Sequence, residues 1–327
     1  MVYSIKECGS IIEEQIKKLR IGHNAPKHLY EPVAYMLECG GKRLRPALTL
    51  MACNLFSDDI QQAIMPAVAI EVFHNFTLIH DDLMDNADVR RNRPTVHKKW
   101  SENTAILSGD AMHALAYRYL CRAPIELQPS LLNAFSIAAL AVCEGQQYDM
   151  DFESDNEVTV ENHFRMITLK TAALITASLC IGAICGGADQ QNIETLHRLG
   201  VKFGTAFQIQ DDWLDVYGNS DVFGKKLGGD ILEGKKTYLL LTALQTADSD
   251  TGARLLSLLN NRTLPPEDKI GNVKAIYDQL EINQKAKQAI SYCHSECASL
   301  LEKVNLSDNS RKKELENLIT QLFNREK

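Results

Sequence analysis

Apolar residues recur every three or four positions along most of the chain, as Val68, Val72, Phe76 and Ile79 illustrate. This spacing is the period of a helix that buries one face. Alternating apolar and polar runs joined by Asn-Gly turns, which would indicate β-hairpins, are not seen in the sequence. We therefore predict an all-α fold. Because neither a break in composition nor a fixed-period repeat divides the chain, we expect one domain over residues 1–327.

Two prolines help to place individual helices. Pro46 suits the first turn of a helix over residues 47–56. A longer helix is predicted over residues 60–85, and Pro66 should either kink it or mark its true start.

Polar stretches interrupt the helical pattern at residues 90–94, 153–161 and 218–237. The last stretch is rich in glycine and lysine, and so many helix breakers argue against a regular element. We expect a mobile basic loop there.

The composition limits the possible partners. The chain has 327 residues and 45% hydrophobic content, enough to bury a large core. Its formal net charge of -7 argues against a broad nucleic-acid-binding face. Residues 1–20 lack the apolar core of a secretory signal, and the interrupted apolar stretch 172–188 predicts a buried helix and no membrane span. Nine cysteines without a Cys-x-x-Cys pair fit reduced thiols, which predicts a cytoplasmic protein.

A first acidic cluster ends the long apolar helix. Asp81 and Asp85 are four residues apart, so their carboxylates share a helical face and repel each other, with Asp82 beside them. A bound cation would remove this repulsion.

The pattern occurs a second time at Asp211, Asp212 and Asp215, where Gln208 lies on the same helical stripe. Carboxylate oxygens with open positions suit Mg²⁺, which completes its coordination with water and phosphate. One such cluster could be a solvated helix end. Two copies within apolar helices favour a metal site, because buried acidic residues without partners are unstable.

Basic residues accompany both clusters. Lys42 and Arg45 stand at the start of the helix that contains Pro46, where backbone amides and two cations favour an anion. Arg90 and Arg91 follow the first cluster and could each bind a phosphate in bidentate fashion.

Further polar residues extend this set. His74 lies two helical turns before the first cluster on the same face, although a lone histidine on an apolar helix is more often a core residue. The remaining donors are Lys170, Thr171, Lys225 and Lys235. Aspartates, cations and apolar walls together predict a site for a diphosphate with a hydrocarbon tail.

These motifs resemble the trans-isoprenyl diphosphate synthase (polyprenyl synthetase) family, short-chain type, over about residues 20–240. The segments that carry the resemblance are Gly-Gly-Lys-Arg-Leu-Arg-Pro at 40–46, Leu-Ile-His-Asp-Asp-Leu-Met-Asp at 78–85, Arg90-Arg91, Ser-Gly-Asp at 108–110, Lys170-Thr171, Phe-Gln-Ile-Gln-Asp-Asp-Trp-Leu-Asp at 207–215 and Gly-Lys-Lys-Thr at 234–237. It implies an all-α bundle around a deep central cavity, with the two acidic clusters facing each other, in a homodimer. It also implies head-to-tail condensation of isopentenyl diphosphate with dimethylallyl, geranyl or farnesyl diphosphate.

The resemblance also assigns roles to residues. It implies about three Mg²⁺ ions, two held by Asp81 and Asp85 and one by Asp211, with Asp82, Asp212 and Asp215 in support. The implied catalytic residues are Asp81, Asp82, Asp85, Lys170, Thr171, Gln208 and Asp211. The implied allylic site is lined by Arg90, Lys170, Thr171, Gln208, Lys225 and Lys235. The implied isopentenyl site is lined by Lys42, Arg45, His74 and Arg91.

The implied chemistry fits these residue types. Cleavage of the allylic carbon–oxygen bond separates a carbocation from pyrophosphate, so Mg²⁺ and cationic side chains stabilise the charge that develops. Closure of the loop at 218–237 would exclude water from the cation.

Phe76 and Thr77 are expected to set the product length. Phe76 lies five residues before Asp81, or about 7.5 Å along the helix axis. By the resemblance, a bulky residue there blocks the growing tail, which implies a farnesyl (C15) or geranylgeranyl (C20) product. The first motif lacks the two-residue insertion of many bacterial farnesyl-type enzymes, so both products stay open.

Other functions compete with this interpretation. A class I terpene cyclase shares the first acidic motif, but its second metal motif mixes Asn, Ser or Thr with Glu. An HD-type phosphohydrolase, suggested by His80-Asp81, would need more histidine ligands. A non-catalytic subunit that binds prenyl diphosphates would not need both complete aspartate triads.

Overall fold

The structure is a computed structural model, and it describes residues 2–155, 157–218 and 227–323. Helices make up most of this part of the chain and strands very little of it, which confirms the all-α prediction. The α-helices are α1 (Ile5–Leu19), α2 (Lys27–Glu38), α3 (Leu44–Phe56), α4 (Gln61–Met84), α5 (Val96–Lys99), α6 (Glu102–Leu120), α7 (Gln128–Ser154), α8 (Val160–Ile167), α9 (Ala173–Cys185), α10 (Gln190–Tyr217), α11 (Gly229–Glu233), α12 (Tyr238–Thr246), α13 (Ser249–Asn260), α14 (Pro266–Gln279), α15 (Ile282–Lys303) and α16 (Lys313–Phe323). A π-helical turn, Thr168–Ala172, joins α8 to α9.

Two compact units are present. The first comprises Met1–Ile137, Leu174–His197 and Val304–Leu315, and the second comprises Ala138–Ala173, Arg198–Lys303 and Glu316–Lys327. One domain over the whole chain stays a prediction, as does the central cavity.

Side-chain caps fix where several helices begin. The hydroxyl oxygens of Ser4, Ser101, Thr159 and Thr237 each accept a hydrogen bond from a backbone N–H in the first turn that follows. Such a cap stabilises a helix by about 1 kcal/mol. The cap at Thr237 therefore fixes the start of α12 directly after the basic segment that contains Lys235.

Helix α4 is the core of the first unit. Its residues from Pro66 to Phe73 are all buried, and it packs against α3 and α6. A helix that is apolar on all sides belongs in the interior. Pro66 lies inside the helix rather than at its start. Because proline has no N–H, Pro66 cannot bond the carbonyl oxygen of Gln62, four residues earlier. That oxygen instead accepts a hydrogen bond from Cys185 Sγ at 3.8 Å.

The apolar stretch at 172–188 forms the buried helix α9, as predicted. A Cβ atom at Gly182 would lie 2.1 Å from the carbonyl oxygen of Thr49, and one at Gly186 would lie 2.6 Å from that of Cys53. Because backbone atoms cannot move aside, only glycine allows α9 to approach α3 so closely.

Two helices have the length and composition of a membrane span, but both are mostly buried. The apolar windows of α4 and of the continuous helix Val160–Cys185 are 61% and 67% buried. Such burial is typical of a core helix in a folded unit. The absence of a membrane span stays a prediction.

A buried ion-pair network ties the Gly-Gly-Lys-Arg-Leu-Arg-Pro segment to α1 and α4. Arg43 is only 4% exposed. Its Nε lies 2.7 Å from Glu13 Oε1, its Nη1 lies 2.5 Å from Glu71 Oε1, and its Nη2 donates to the carbonyl oxygen of Leu37. Asn75 donates a further hydrogen bond to Glu71 at 2.9 Å. Since Arg43 points inward, its charge is used inside the protein, and Lys42 and Arg45 stay the predicted anion-binding residues of the segment.

A small β-hairpin follows α4, which the sequence pattern did not predict. Strand β1 (Val89–Arg90) pairs antiparallel with β2 (Arg93–Pro94). The turn residues Arg91 and Asn92 have φ values of 51° and 59°. Two consecutive positive φ angles are typical of a type I′ turn, which usually contains glycine. The hairpin was missed because this turn has none.

The second unit has its own apolar core. Trp213, Leu239 and Tyr277 are buried in it together with residues of the helices that follow. Because Trp213 stands between Asp212 and Asp215 in sequence, this core also fixes the helix that carries the second acidic motif. The helices after residue 240 supply much of this core.

We predict that Arg43→Met lowers the free energy of unfolding by about 3–5 kcal/mol, because it leaves the buried carboxylate of Glu71 without its cation. Urea unfolding followed by circular dichroism measures this change. The matched control is Lys18→Met, whose ion pair with Glu14 has side chains 63% and 69% exposed. It should change the stability by no more than about 1 kcal/mol. An equally small effect of Arg43→Met would contradict the structural role of the network.

Candidate active site

The first acidic motif lies at the C-terminal end of α4, and its three aspartates differ in exposure. Asp82 is 2% exposed, Asp81 is half-buried and Asp85 is exposed. Asp82 Oδ1 accepts a hydrogen bond from Arg90 Nε at 2.7 Å, whereas Oδ2 is buried without a hydrogen-bond partner in the described part of the chain. Burial raises the pKa of Asp82, and the charge of Arg90 opposes that rise. The motif therefore has one buried carboxylate between two that are nearer to solvent.

The β-hairpin directs two consecutive arginines to different partners. Arg90 binds Asp82, while the guanidinium of Arg91 donates to the carbonyl oxygen of Gly40. A Cβ atom at Gly41 would lie 2.8 Å from Arg91 Nη1, so the glycine leaves room for this side chain. The structure thus brings Arg91 to the Gly-Gly-Lys-Arg-Leu-Arg-Pro segment.

Arg45 and His74 are neighbours in the same region. Arg45 Nη1 lies 3.3 Å from His74 Nε2. Burial, followed by the charges of Arg45 and Arg91, lowers the pKa of His74 well below its ordinary value. Because a guanidinium can only donate, neutral His74 accepts at Nε2 and carries its proton on Nδ1. Three residues predicted for the isopentenyl site are therefore clustered, and Lys42 is exposed in the adjoining loop.

Aromatic rings surround the predicted chain-length residue. The ring of Phe76 is half-buried, and its centroid lies 4.8 Å from that of His80, 5.2 Å from that of Phe73 and 5.3 Å from that of His113. Thr77 donates its hydroxyl to the carbonyl oxygen of His74 at 2.8 Å. Phe76 is thus the first layer of a packed aromatic cluster that extends toward α6.

The Ser-Gly-Asp segment of α6 has a packing explanation. A Cβ atom at Gly109 would lie 2.2 Å from His80 Nε2, so the histidine ring can lie against α6 only if this residue is glycine. Ser108 donates to the carbonyl oxygen of Leu29 at 3.1 Å. Gly109 therefore allows α6 to pack against α4 near its acidic end, while Ser108 ties α6 to α2.

The second acidic motif repeats the arrangement of the first. Asp211 is exposed and Asp212 is 4% exposed. Asp212 Oδ1 accepts from Gln208 Nε2 at 2.9 Å, and Oδ2 accepts from the backbone N–H of Tyr238 at 3.2 Å. His163 Nε2 lies 3.7 Å from the same carboxylate. Like Asp82, the middle aspartate of this motif is buried and held by hydrogen bonds from other residues of the protein.

Asp215 binds the backbone at the start of α11. Its Oδ2 accepts from the N–H of Asp230 at 3.1 Å, and its carbonyl oxygen accepts from the N–H of Gly228 at 2.7 Å. Burial, followed by the charges of Asp212 and Asp215, raises the pKa of Asp230 from 3.8 to about 7. Three acidic side chains therefore influence one another at the second acidic motif.

The π-helical turn supplies two of the predicted residues. Lys170 Nζ lies 2.6 Å from Asp149 Oδ2. Thr171 Oγ1 donates to Gln208 Oε1 at 2.9 Å. Thr171, Gln208 and Asp212 therefore form one chain of hydrogen bonds.

The predicted basic loop is described only in part. Residues 219–226, which include Lys225, lie outside the described residues. Lys235 Nζ lies 2.9 Å from Glu233 Oε2 and 3.9 Å from Asp230 Oδ1, which places its charge beside the second acidic motif. The segment is not entirely irregular, because it contains the short helix α11.

Sequence reasoning missed Arg43, Glu71, Asp149 and Asp230. Arg43 lies within the Gly-Gly-Lys-Arg-Leu-Arg-Pro motif, but its inward direction depends on a left-handed backbone with a φ of 45°. Asp149 lies one helical turn after Gly145 in a polar part of α7, which gave a weak signal. Asp230 lies in a glycine-rich stretch for which the sequence predicts a loop.

Both motifs have carboxylate oxygens, which are the ligand atoms that suit a hard divalent cation. Within residues 2–155, 157–218 and 227–323, no group of three or more His, Cys, Asp or Glu side chains forms a ready-made metal centre. Carboxylates in this arrangement fit a cation that takes its other ligands from water and phosphate. The orphaned Oδ2 of Asp82 and the raised pKa of Asp230 mark negative charge that such a cation would compensate.

Comparison with known proteins identifies the family. The sequence profile of the polyprenyl synthetase family matches residues 26–280. The short chain isoprenyl diphosphate synthase of Methanocaldococcus jannaschii is 40% identical over 260 residues, which is 79% of each chain. The geranylgeranyl diphosphate synthase of Saccharolobus solfataricus is 41% identical over 246 residues, which is 74% of each chain. A crystal structure of geranylgeranyl pyrophosphate synthase matches with a TM-score of 0.94 at 39% identity, over 99% of each chain.

The family match covers most of the chain, and the relatives are similar over more than two thirds of it. The acidic motifs and their basic partners lie within the matched residues. The chain therefore belongs to the polyprenyl synthetase family.

Proposed function

We propose that the chain is a short-chain trans-prenyltransferase, which condenses isopentenyl diphosphate with an allylic diphosphate to give farnesyl or geranylgeranyl diphosphate and pyrophosphate. The observation that carries this proposal is the shared design of the two acidic motifs. Each motif fixes its buried middle aspartate with donors from its own unit and keeps its first aspartate nearer to solvent. Family membership and the names of the relatives support the same reaction. They favour it over a terpene cyclase, a phosphohydrolase or a non-catalytic subunit.

Mg²⁺ is the cation that we propose for this site. Asp81, Asp85 and Asp211 would hold it, while Asp82, Asp212 and Asp215 keep the helices and loops in place through their hydrogen bonds. When bound, Mg²⁺ stabilises the negative charge that develops on the departing pyrophosphate.

The isopentenyl diphosphate would bind at Lys42, Arg45, His74 and Arg91. The neutral state of His74 supports this assignment, because an uncharged imidazole hydrogen-bonds without adding to the crowded positive charge of the arginines. Arginine forks suit the oxygens of a phosphate. Arg91 already contacts the loop that carries Lys42, through Gly40.

The allylic diphosphate would bind at Arg90, Lys170, Thr171, Gln208, Lys225 and Lys235. The amide of Gln208 is fixed on both sides, since Thr171 donates to its oxygen and its nitrogen donates to Asp212. A fixed dipole can stabilise a nearby carbocation without reorganising during the reaction. Loop residues 218–237 would exclude water from this cation.

The growing tail would end against Phe76, with Thr77 leaving space beside it. The contacts of Phe76 with Phe73, His80 and His113 hold the ring in place, so it can stop the chain. A fixed aromatic ring that stops the tail at this position, which we call the floor of the tail site, supports a short-chain product.

We also propose that the chain forms a homodimer in the cytoplasm. In the first unit, α6 exposes two adjacent large apolar side chains, Ile106 at 43% and Leu107 at 60%. Exposed apolar surface of this type is typical of a protein interface. Sedimentation equilibrium of the purified chain tests the dimer.

The activity is tested with labelled isopentenyl diphosphate and each allylic primer in turn. We expect a linear, longer prenyl diphosphate that requires Mg²⁺ and is lost when the metal is chelated. Asp81→Asn should lower kcat by about 10²–10³, the range seen when one group that stabilises developing charge is removed. Asp88→Asn is the control, because Asp88 is exposed and forms an ion pair only with Lys98, at 3.1 Å, in the described structure. A cyclic product of unchanged carbon number, or no product from the folded wild type, would contradict the proposal.

We predict that Phe76→Ala lengthens the product by at least one isoprene unit, because it removes the ring that stops the tail. Reversed-phase chromatography of the dephosphorylated products measures the chain length. Phe152→Ala, which shortens a partly buried aromatic residue in the other unit, is the control and should leave the product unchanged. An unaltered product from Phe76→Ala would rule out this residue as the floor.

We predict that Asp230→Asn raises the melting temperature of the metal-free protein at about pH 8 by several degrees, and by less at about pH 5. The sign follows from the pKa of Asp230, which folding raises from 3.8 to about 7. The folded state therefore binds the proton more tightly, and this stabilisation is lost as the pH rises through about 7. Glu233→Gln, an exposed neutralisation in the same helix, is the control. If Asp230→Asn leaves the melting temperature unchanged, or lowers it, at the higher pH, the pKa of Asp230 is not raised by folding.

A further inference from the structure

The π-helical turn Thr168–Ala172 is wedged between two helices that carry glycine at the contact. A π turn places one extra residue in a helix and is frequent at functional sites. Here it presents two consecutive polar residues, Lys170 and Thr171, directly before the apolar helix α9.

On one side, α7 touches the backbone of the turn at Gly145. A Cβ atom there would lie 2.2 Å from the backbone nitrogen of Lys170 and 2.6 Å from its Cα. These are backbone atoms, so they cannot rotate out of the way as the end of a flexible side chain would. Any other residue at position 145 must displace the turn.

On the other side, α10 touches the turn at Gly204. A Cβ atom there would lie 2.4 Å from the Cα of Ala172 and 2.5 Å from its Cβ. Ala172 is itself 0% exposed, which leaves no free space beside it. The turn is therefore held from both sides.

Each glycine stands one helical turn before a residue that binds a side chain of the π turn. Asp149 follows Gly145 by four residues and lies 2.6 Å from Lys170 Nζ. Gln208 follows Gly204 by four residues and accepts from Thr171 Oγ1 at 2.9 Å. Residues four apart share a helical face, so close approach at the glycine brings the polar partner within reach.

This arrangement differs from ordinary close packing of glycines. Gly182 in α9 and Gly186 directly after it also allow close approach, but the residues around them, Ala183, Ile184, Cys185 and Ala188, are apolar or small. At Gly145 and Gly204, by contrast, the close approach positions a charged side chain and a hydroxyl.

We propose that Gly145, Gly204 and Asp149 are positioning residues, which set where Lys170 and Thr171 meet the allylic diphosphate. This inference rests on the proposed function. None of the three needs to touch the substrate, because they act through the side chains of the π turn. They should therefore affect the allylic substrate and leave isopentenyl diphosphate almost unaffected.

The test compares steady-state kinetics of Gly145→Ala and Gly204→Ala with the wild type. We expect kcat to fall, or the KM for geranyl diphosphate to rise, by at least about tenfold, because small displacements of catalytic groups have large effects. The KM for isopentenyl diphosphate should stay within about twofold of wild type. The controls are Gly271→Ala and Gly252→Ala, since a Cβ atom at the former meets nothing within 4 Å and one at the latter lies 3.9 Å from the Cβ of Ala247. Wild-type kinetics in folded Gly145→Ala and Gly204→Ala would overturn the inference.

Asp149→Asn keeps the inference testable if a glycine variant does not fold, because it adds no bulk. We expect a weaker affinity for geranyl diphosphate, and the effect should disappear when Lys170 is already replaced by Met. An Asp149→Asn effect of the same size in the Lys170→Met background, or no effect at all, would overturn it.

Calorimetric titration with geranyl diphosphate and Mg²⁺ separates this inference from the proposed function, since it needs no turnover. Weaker binding by Asp149→Asn supports the inference even if condensation is absent. Unchanged binding together with normal wild-type turnover refutes the inference and leaves the proposed function intact.

Discussion

A carboxylate that leaves water must find a cation or N–H donors, and much of the local structure around both acidic motifs satisfies this requirement. Asp82 obtains Arg90 from the β-hairpin. Asp212 obtains an amide from Gln208 and a backbone N–H from Tyr238. The positions of the hairpin and of the start of α12 are thus linked to one buried side chain each.

The same requirement distinguishes the structural aspartate of each motif from the aspartates that are proposed to bind the cation. The middle aspartates are committed to hydrogen bonds inside their own units, while Asp81 and Asp211 lie nearer to solvent at the same position of each repeat. The second motif adds Asp230, whose raised pKa reports the crowding of negative charge. The first motif is balanced instead by Arg90 of the hairpin. The two motifs therefore reach a similar arrangement by different means.

Much of this was predictable from the sequence, because helical periodicity and the spacing of the acidic motifs are local properties. The all-α class and the buried helix at 172–188 follow from such patterns. The proximity of Arg45 to His74 was implied only by the family resemblance. The hairpin did not, because its turn uses Arg91 and Asn92 at positive φ without glycine. The inward direction of Arg43 and the partner of Lys170 depend on contacts between residues far apart in sequence, which periodicity does not report.

The left-handed turn of the hairpin also limits how this region can change. Backbone in that conformation is unfavourable for a residue with a long side chain, so Arg91 holds it only while the strands on either side remain paired. Adding or removing one residue in β1 or β2 would shift the register and reverse the faces of Arg90 and Arg91. Length variation among natural or engineered sequences should therefore be tolerated poorly between residues 89 and 94, even though both strands are short and largely at the surface.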